Sequence, residues 1–533
     1  MVEKILIIQL NRMGDCVQTL PLLERLKEER PDCFLTVICV RGFARVFERS
    51  PFLDRLVSLS ADAVQALKEK RQPKECEDMP ELLEEFDLVV NFTNNDGGAF
   101  FIGNIKGKNK LGFIESGFAE GRVKGDWGKY LFASQRSRQT NLFNLVEMQM
   151  GMAGVCLRPF WSYMPAYSSE VHRAHRLLQE NGYLGKGKLI AFQLGASRLY
   201  RAWPVDSFAS LAQSLSQKPD IEIVLIGSPA ERGLSDTFQS KVSYPVIDLV
   251  GKTTMDDLPG LLKACDLLVS NDTGTIHIAA AVGTRALGLY FSTAYFAETA
   301  PYGQGHVVLQ AELPCSPCDP AMTCSDMRCR HVITPDVVSR AVEMMLEGKQ
   351  DMDIDAPNIS AYRSAFLANG ALVYFPVRSH IPEQWLTSLL WHSGWGAALG
   401  IGNDAAFLRR YISMSGSSGI VAVKIDEIRE ALAGLQDRFA RGVEIARSAL
   451  SELSRPAAGY ERLSELSRNL QSIDQQILAS APPTLKYYYM LEMTDIDYDD
   501  YSAVVGQLDR TYSRLGCLIR TMISAFEDLR RSI

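Results

Sequence analysis

The sequence lacks several features that would each mark a class of protein. No apolar run approaches the roughly 18 residues needed to span a bilayer. The opening MVEKILIIQLNRMGDC has charges on both sides of a short apolar core and no small-residue cleavage site, so it reads as a buried strand and not as a secretory leader. Neither sign of charge is in large excess. A net charge of -7 over 533 residues provides no global field for holding nucleic acid, and none is expected as a partner. There is no repeat of fixed period and no low-complexity tract. With 47% hydrophobic and 22% charged residues, disordered and collagen-like chains are excluded. Seven of the eleven cysteines stand alone (Cys16, Cys33, Cys39, Cys76, Cys156, Cys265, Cys517), which suits a reducing compartment. A cytoplasmic location follows as the expectation.

What is present is α/β patterning at a length that calls for two to four domains. The runs Lys4–Leu10, Phe34–Val40 and Phe86–Phe92 are apolar throughout, as in strands covered on both faces, and a helical pattern with Leu20, Leu22, Leu23 and Leu26 separates the first two. A second series begins after Tyr167, with strands at 189–194, 221–227, 246–250, 266–270, 286–291 and 307–310 and a closing helix near 335–346. Two Rossmann-like domains are therefore expected, residues 1–168 and 169–349, with ligand in the cleft between them. From about 350 the composition changes. Spacings of three and four among Ile425, Ile428, Leu432, Leu435 and Phe439, among Leu463, Leu466, Leu470, Ile473 and Ile477, and among Leu508, Tyr512, Leu515, Met522 and Phe526 predict a mainly helical region over 350–533.

Four turns carry residues suited to chemistry. In Asn11-Arg12-Met13-Gly14-Asp15, Asp15 is placed to take a proton from a bound hydroxyl or simply to cap its helix. In Ser270-Asn271-Asp272-Thr273-Gly274-Thr275-Ile276-His277, small residues at a helix start favour phosphate, while Asp272 and His277 orient the loop or touch the ligand; an ordinary capped turn is the other reading. Ser197, Arg198 and Arg201 stand just past a strand end, where forked guanidinium groups suit a diphosphate, and Trp203-Pro204 fixes the next helix start. Glu231, in Gly-Ser-Pro-Ala-Glu, is placed either for ribose hydroxyls or in solvent.

Together these stretches resemble glycosyltransferase family 9, the ADP-heptose:lipopolysaccharide heptosyltransferases, over roughly residues 1–347. The resemblance rests on KILIIQLNRMGDCVQTLPLLERLKEERPD, FQLGASRLYRAWP, LIGSPAE, DLVGKTTMDDLPGLLKACDLLVSNDTGTIHIAAAVGT and TAPYG, in family order. It implies a GT-B fold, with the acceptor bound mainly by the first domain and the sugar nucleotide, ADP-heptose, by the second. It implies Asp15 as general base and Arg201, where the family carries a lysine, at the diphosphate. Ser197 then lies near the phosphates, Glu231 at the ribose, and Asp272, Thr273, Gly274, Thr275 and His277 around the pyrophosphate. It further implies catalysis that requires no metal or other cofactor.

Lys106, Lys108 and Lys110, with Arg122 and Lys124, form a basic stretch suited to a phosphorylated lipid-linked acceptor at the inner membrane face, or else a solvated loop. Cys315, Cys318, Cys324 and Cys329 fall within fifteen residues, and are expected to hold a structural zinc or iron ion or to form a reduced thiol cluster. Trp385, Trp391 and Trp395 suit a sugar platform or a core. Tyr487 to Tyr489 with Asp495, Asp497, Asp499 and Asp500 lack the glycine of a calcium loop. The helical region is expected to pack on the catalytic body, a second subunit or a protein acceptor. A protein O-heptosyltransferase, a GT-B sugar-nucleotide epimerase and a non-catalytic scaffold are the competing readings.

Overall fold

The computed structural model describes residues 2–77, 79–115, 122–135, 138–218, 220–319, 324–349, 353–377, 383–401, 418–454, 460–493 and 501–531. The chain divides into two compact units, residues 1–110 with 143–380, and 111–142 with 381–533.

The first unit holds two α/β sheets. Strands β1 (Lys4–Gln9), β2 (Phe34–Val40), β3 (Arg55–Leu59), β4 (Glu85–Asn91) and β5 (Lys106–Glu115) lie in the order β3-β2-β1-β4-β5. β1 pairs parallel with both β2 and β4. Every side chain from Ile5 to Gln9 is buried, which is why the run is apolar with no alternation. The latter half of β5 belongs to the second unit, where it pairs antiparallel with β6 (Arg122–Lys124).

The second sheet comprises β7 (Lys188–Gln193), β8 (Ile221–Ile226), β9 (Ile247–Asp248), β10 (Leu267–Asn271), β11 (Ala286–Tyr290), β12 (Val307–Ala311), β13 (Ile359–Phe366) and β14 (Leu372–Pro376), in the order β14-β13-β12-β11-β10-β7-β8-β9. β12 through β9 are mutually parallel, and β13 and β14 add on antiparallel. These are the two Rossmann-like halves of a GT-B fold. In both sheets the strand carboxyl ends that lead into the helices Met13–Glu29 and Gly274–Ala281 face one cleft.

The structure differs from the expected boundary at 350. Residues 359–376 are strands of the second sheet, with β14 buried at Leu372, Val373 and Tyr374. The next described helix is Glu383–Ala398. The expected basic loop at 106–110 is also different, being one face of β5. Lys108 pairs with Asp87 (2.7 Å), and Lys110 Nζ donates to the carbonyls of Ile102 (2.9 Å) and Gly103 (3.3 Å).

The second unit is a bundle of the helices Asp126–Ser134, Glu383–Ala398, Ser418–Leu453, Tyr460–Ser480, Pro483–Met493 and Tyr501–Arg531. Its interior takes in the early segment. Lys129 forms a buried ion pair with Glu492 (3.0 Å), Tyr130 packs on Trp395 with ring centroids 4.9 Å apart, and Ser388 Oγ donates to the Gln139 carbonyl (2.7 Å). Trp385 and Trp395 are thus core residues, and Trp391 packs edge-on against Phe526. Tyr489 and Tyr512 both donate to the Asp474 carboxylate. Asp495, Asp497, Asp499 and Asp500 lie outside the described residues. Among the described residues, no helix is long and apolar enough to cross a membrane.

Candidate active site

Between the two sheets of the first unit lies a cleft of about 860 Å³. On one wall, the turn after β1 is tied to the end of β4: the Leu10 N–H donates to Thr93 Oγ1 (2.9 Å) and Asn11 Nδ2 to the Phe92 carbonyl (2.9 Å). The chain then enters the helix Met13–Glu29, with Asp15 in its first turn. The Asp15 carboxylate accepts the Arg12 N–H (3.0 Å) and also lines the cleft, so it caps its own helix while facing the ligand space. Burial pushes its pKa above the ordinary carboxylate value, and the nearby negative charge of Asp272 adds to this. The Arg12 N–H and guanidinium oppose the rise without cancelling it.

The facing wall is the helix Gly274–Ala281. Here two helix N-termini meet, with a glycine on each side of the contact. A Cβ on Gly14 would stand 2.9 Å from His277 Cδ2, and one on Gly274 would overlap the Met13 side chain. Both helix starts thus border the same space, a setting that favours negative charge. His277 is buried, and burial holds its pKa down near 4. The imidazole is therefore neutral at pH 7, leaving Arg12 and Arg201 as the cations that line the cleft.

Arg201 forms an ion pair with Asp272, which also accepts from Thr299 Oγ1 (3.4 Å). The neighbouring Asn271 fixes this corner. Its Nδ2 donates to the carbonyls of Leu194 and Gly195 (3.0 Å each), and its Oδ1 accepts the Trp203 N–H (2.8 Å). The Trp203 indole N–H in turn donates to the Ile333 carbonyl (2.8 Å). Glu231 is held by Gln193 Nε2 (2.7 Å), the Ser228 N–H (2.6 Å) and Ser228 Oγ (2.8 Å). It lies so close to Gly195 that any side chain there would overlap its carboxylate.

The loop Thr253–Met255 completes the lining and is braced from the first domain. The buried Arg49 makes a forked pair with Glu170 (2.7 and 3.0 Å), and also donates to the carbonyls of Met255 (3.4 Å) and Asp256 (3.2 Å).

The cleft brings together Asp15, Ser197, Arg201, Glu231, Asp272, Thr273, Gly274, Thr275 and His277. Arg198 is exposed and does not line it; nor do Lys106, Lys108 and Lys110. Arg12, Gln18, Ser228, Thr299 and the 253–255 loop are cleft residues that the motif reading passed over. Of these, only Gln18 had a local signal, since it follows Asp15 by three on the same helix face.

Cys315, Cys318, Cys324 and Cys329 lie on either side of residues 320–323, which are outside the described residues. Among the described residues, no group of three or more His, Cys, Asp or Glu side chains is placed to hold a metal ion, and none of the four cysteines is in a disulfide. Cys315 is exposed, Cys329 is buried, and Cys324 Sγ accepts the Met327 N–H (3.3 Å). The segment following Cys329 is structural toward the site, with Arg330 Nε donating to the Ala202 carbonyl (2.5 Å) beside Arg201.

Comparison with known proteins agrees with this architecture. Residues 80–326 match the family model described as glycosyltransferase family 9 (heptosyltransferase). The chain is 23% identical over 307 residues to lipooligosaccharide heptosyltransferase 2 of Haemophilus influenzae, covering 54% of this chain and 83% of that one. It is 23% identical over 292 residues to lipopolysaccharide heptosyltransferase 3 of Escherichia coli, covering 52% and 81%. Among solved structures, a family 9 glycosyl transferase from Veillonella parvula superposes with a TM-score of 0.52 at 19% identity, covering 65% of this chain and 98% of that one. Over residues 80–326 the chain is thus similar to glycosyltransferase family 9, the heptosyltransferase family.

Proposed function

We propose that this protein transfers a heptose or related sugar from a nucleotide sugar, ADP-heptose first among candidates, to a hydroxyl of a lipopolysaccharide-core or related glycan, with inversion at the anomeric carbon. One observation carries the reading: a carboxylate from the first domain, and a guanidinium with a helix N-terminus from the second, border the same cleft. Asp15 takes the proton of the attacking hydroxyl as its oxygen bonds to the anomeric carbon. The bond from that carbon to the diphosphate breaks on the opposite face. The leaving charge passes to Arg201 and the first amides of the helix Gly274–Ala281. Glu231, held rigid by Gln193 and Ser228, faces the nucleotide ribose. The relatives named for lipopolysaccharide and lipooligosaccharide support the acceptor class.

Calorimetry with ADP, UDP and GDP on the purified protein tests the donor. Selective ADP binding is expected; a preference for UDP or GDP would discard ADP-heptose, and no binding would favour a scaffold. A pH profile tests the base. Activity needs ionised Asp15, so it is present above the pKa and lost as pH falls through it. Because burial raises that pKa, the acid limb of kcat/KM should lie above the ordinary carboxylate range. Arg12→Ala removes a charge that lowers it and should move the limb to higher pH. An unmoved limb would mean another group titrates.

A further inference from the structure

We propose that Gln18 is a further substrate-contacting residue, its side-chain amide donating a hydrogen bond to a hydroxyl oxygen of the acceptor sugar held against Asp15. This rests on the transferase reading above and adds to it the chemistry of the neighbouring subsite. Gln18 follows Asp15 by three residues, so the two share a face of the helix Met13–Glu29, and both line the cleft. The side chain is 1% exposed, and its Nε2 has no hydrogen-bond partner.

The donor groups of nearby buried amides are paired, although Gln9 Oε1 is itself without a partner. Gln9, on the adjoining strand, donates to Thr19 Oγ1 (3.0 Å), Gln193 donates to Glu231, and Asn271 donates to two carbonyls. A buried donor left unpaired keeps its full desolvation cost, so Gln18 weakens the free fold unless a ligand completes it. Across the Gly14–Gly274 contact, His277 Nδ1 is likewise buried and unpartnered, and its ring is neutral.

The chemistry of these two groups selects the ligand. An uncharged donor and an uncharged imidazole beside a carboxylate suit hydroxyls, which both give and accept hydrogen bonds. A phosphate would be repelled by Asp15 and is better served at Arg201, on the other wall. Gln18 therefore reads a hydroxyl adjacent to the one Asp15 deprotonates, and selects sugars that carry such a pair.

Gln18→Leu and Gln18→Met in the full-length protein test this, since both remove the donor at similar volume. Melting temperature is expected to hold or rise, because an unpaired polar group leaves the core. ADP affinity is expected to stay within about twofold, while acceptor kcat/KM falls by roughly 10- to 100-fold, the value of one hydrogen bond in a closed site. A purely structural role predicts the opposite pattern. A melting temperature lowered by several degrees in both variants overturns the proposal whatever the activity, since the amide would then be satisfied within the fold. A parent protein that transfers sugar, with variants that do so equally well, overturns this assignment alone. A parent that transfers no sugar overturns the transferase reading and this assignment with it.

Discussion

Asp15→Asn is expected to lower the rate of sugar transfer by about three orders of magnitude, within the range that general base catalysis supplies. The substitution separates the two roles the structure gives this side chain. Asparagine keeps the size and the carbonyl oxygen that accepts the Arg12 N–H, so helix capping survives. It has no basic oxygen, so deprotonation of the acceptor does not. Melting temperature and ADP affinity should therefore remain near parental values while initial rates collapse. Parental turnover in this variant would leave Asp15 a cap only and put the base elsewhere in the cleft.

Truncation after residue 380 is expected to abolish soluble expression, although it spares both sheets of the first unit. The reason is the segment 111–142, which is part of the second unit and loses its partners. Trp127, Tyr130 and Leu131 are all buried there; Tyr130 packs on Trp395, and Lys129 is neutralised by Glu492. Uncovering three such side chains costs about 1.5–3 kcal/mol each, a large part of a domain's ~5–15 kcal/mol. The matched variant deletes 111–142 as well, closing the gap with a flexible linker. It should be soluble and should melt cooperatively. If the simple truncation behaves as well as the double deletion, the segment does not depend on the C-terminal helices.

The strands of both sheets were legible because burial on two faces leaves an uninterrupted apolar run, as in Ile5–Ile8 and Leu267–Val269. Where one face is exposed, the signal fails: β5 reads Lys-Gly-Lys-Asn-Lys over its first five residues and passes for a charged loop. β13 and β14 were hidden by the change of composition after residue 350, though they complete the second sheet. In the site, the residues at strand ends were readable from local turn chemistry. The Thr253–Met255 loop was not, because its position depends on Arg49, some 200 residues earlier in the chain. Lys106, Lys108 and Lys110 were attractive as charges, but pairing with Asp87 and with main-chain carbonyls turns two of them to structural work outside the cleft. The membership of 111–142 in the helical unit has no local signature, since it is a matter of tertiary partnership alone.

That partnership also has a consequence in time. Residues 111–142 leave the ribosome about 240 residues before their bundle partners begin, which at ~5–20 residues per second is a wait of roughly 12–48 s. Throughout that interval the apolar face of Trp127, Tyr130 and Leu131 has no native cover, while the first unit around it can already close. The nascent chain therefore carries a sticky, unfinished hairpin and helix through most of its synthesis. Demand for a holding chaperone should peak in that window and end only with the last helix.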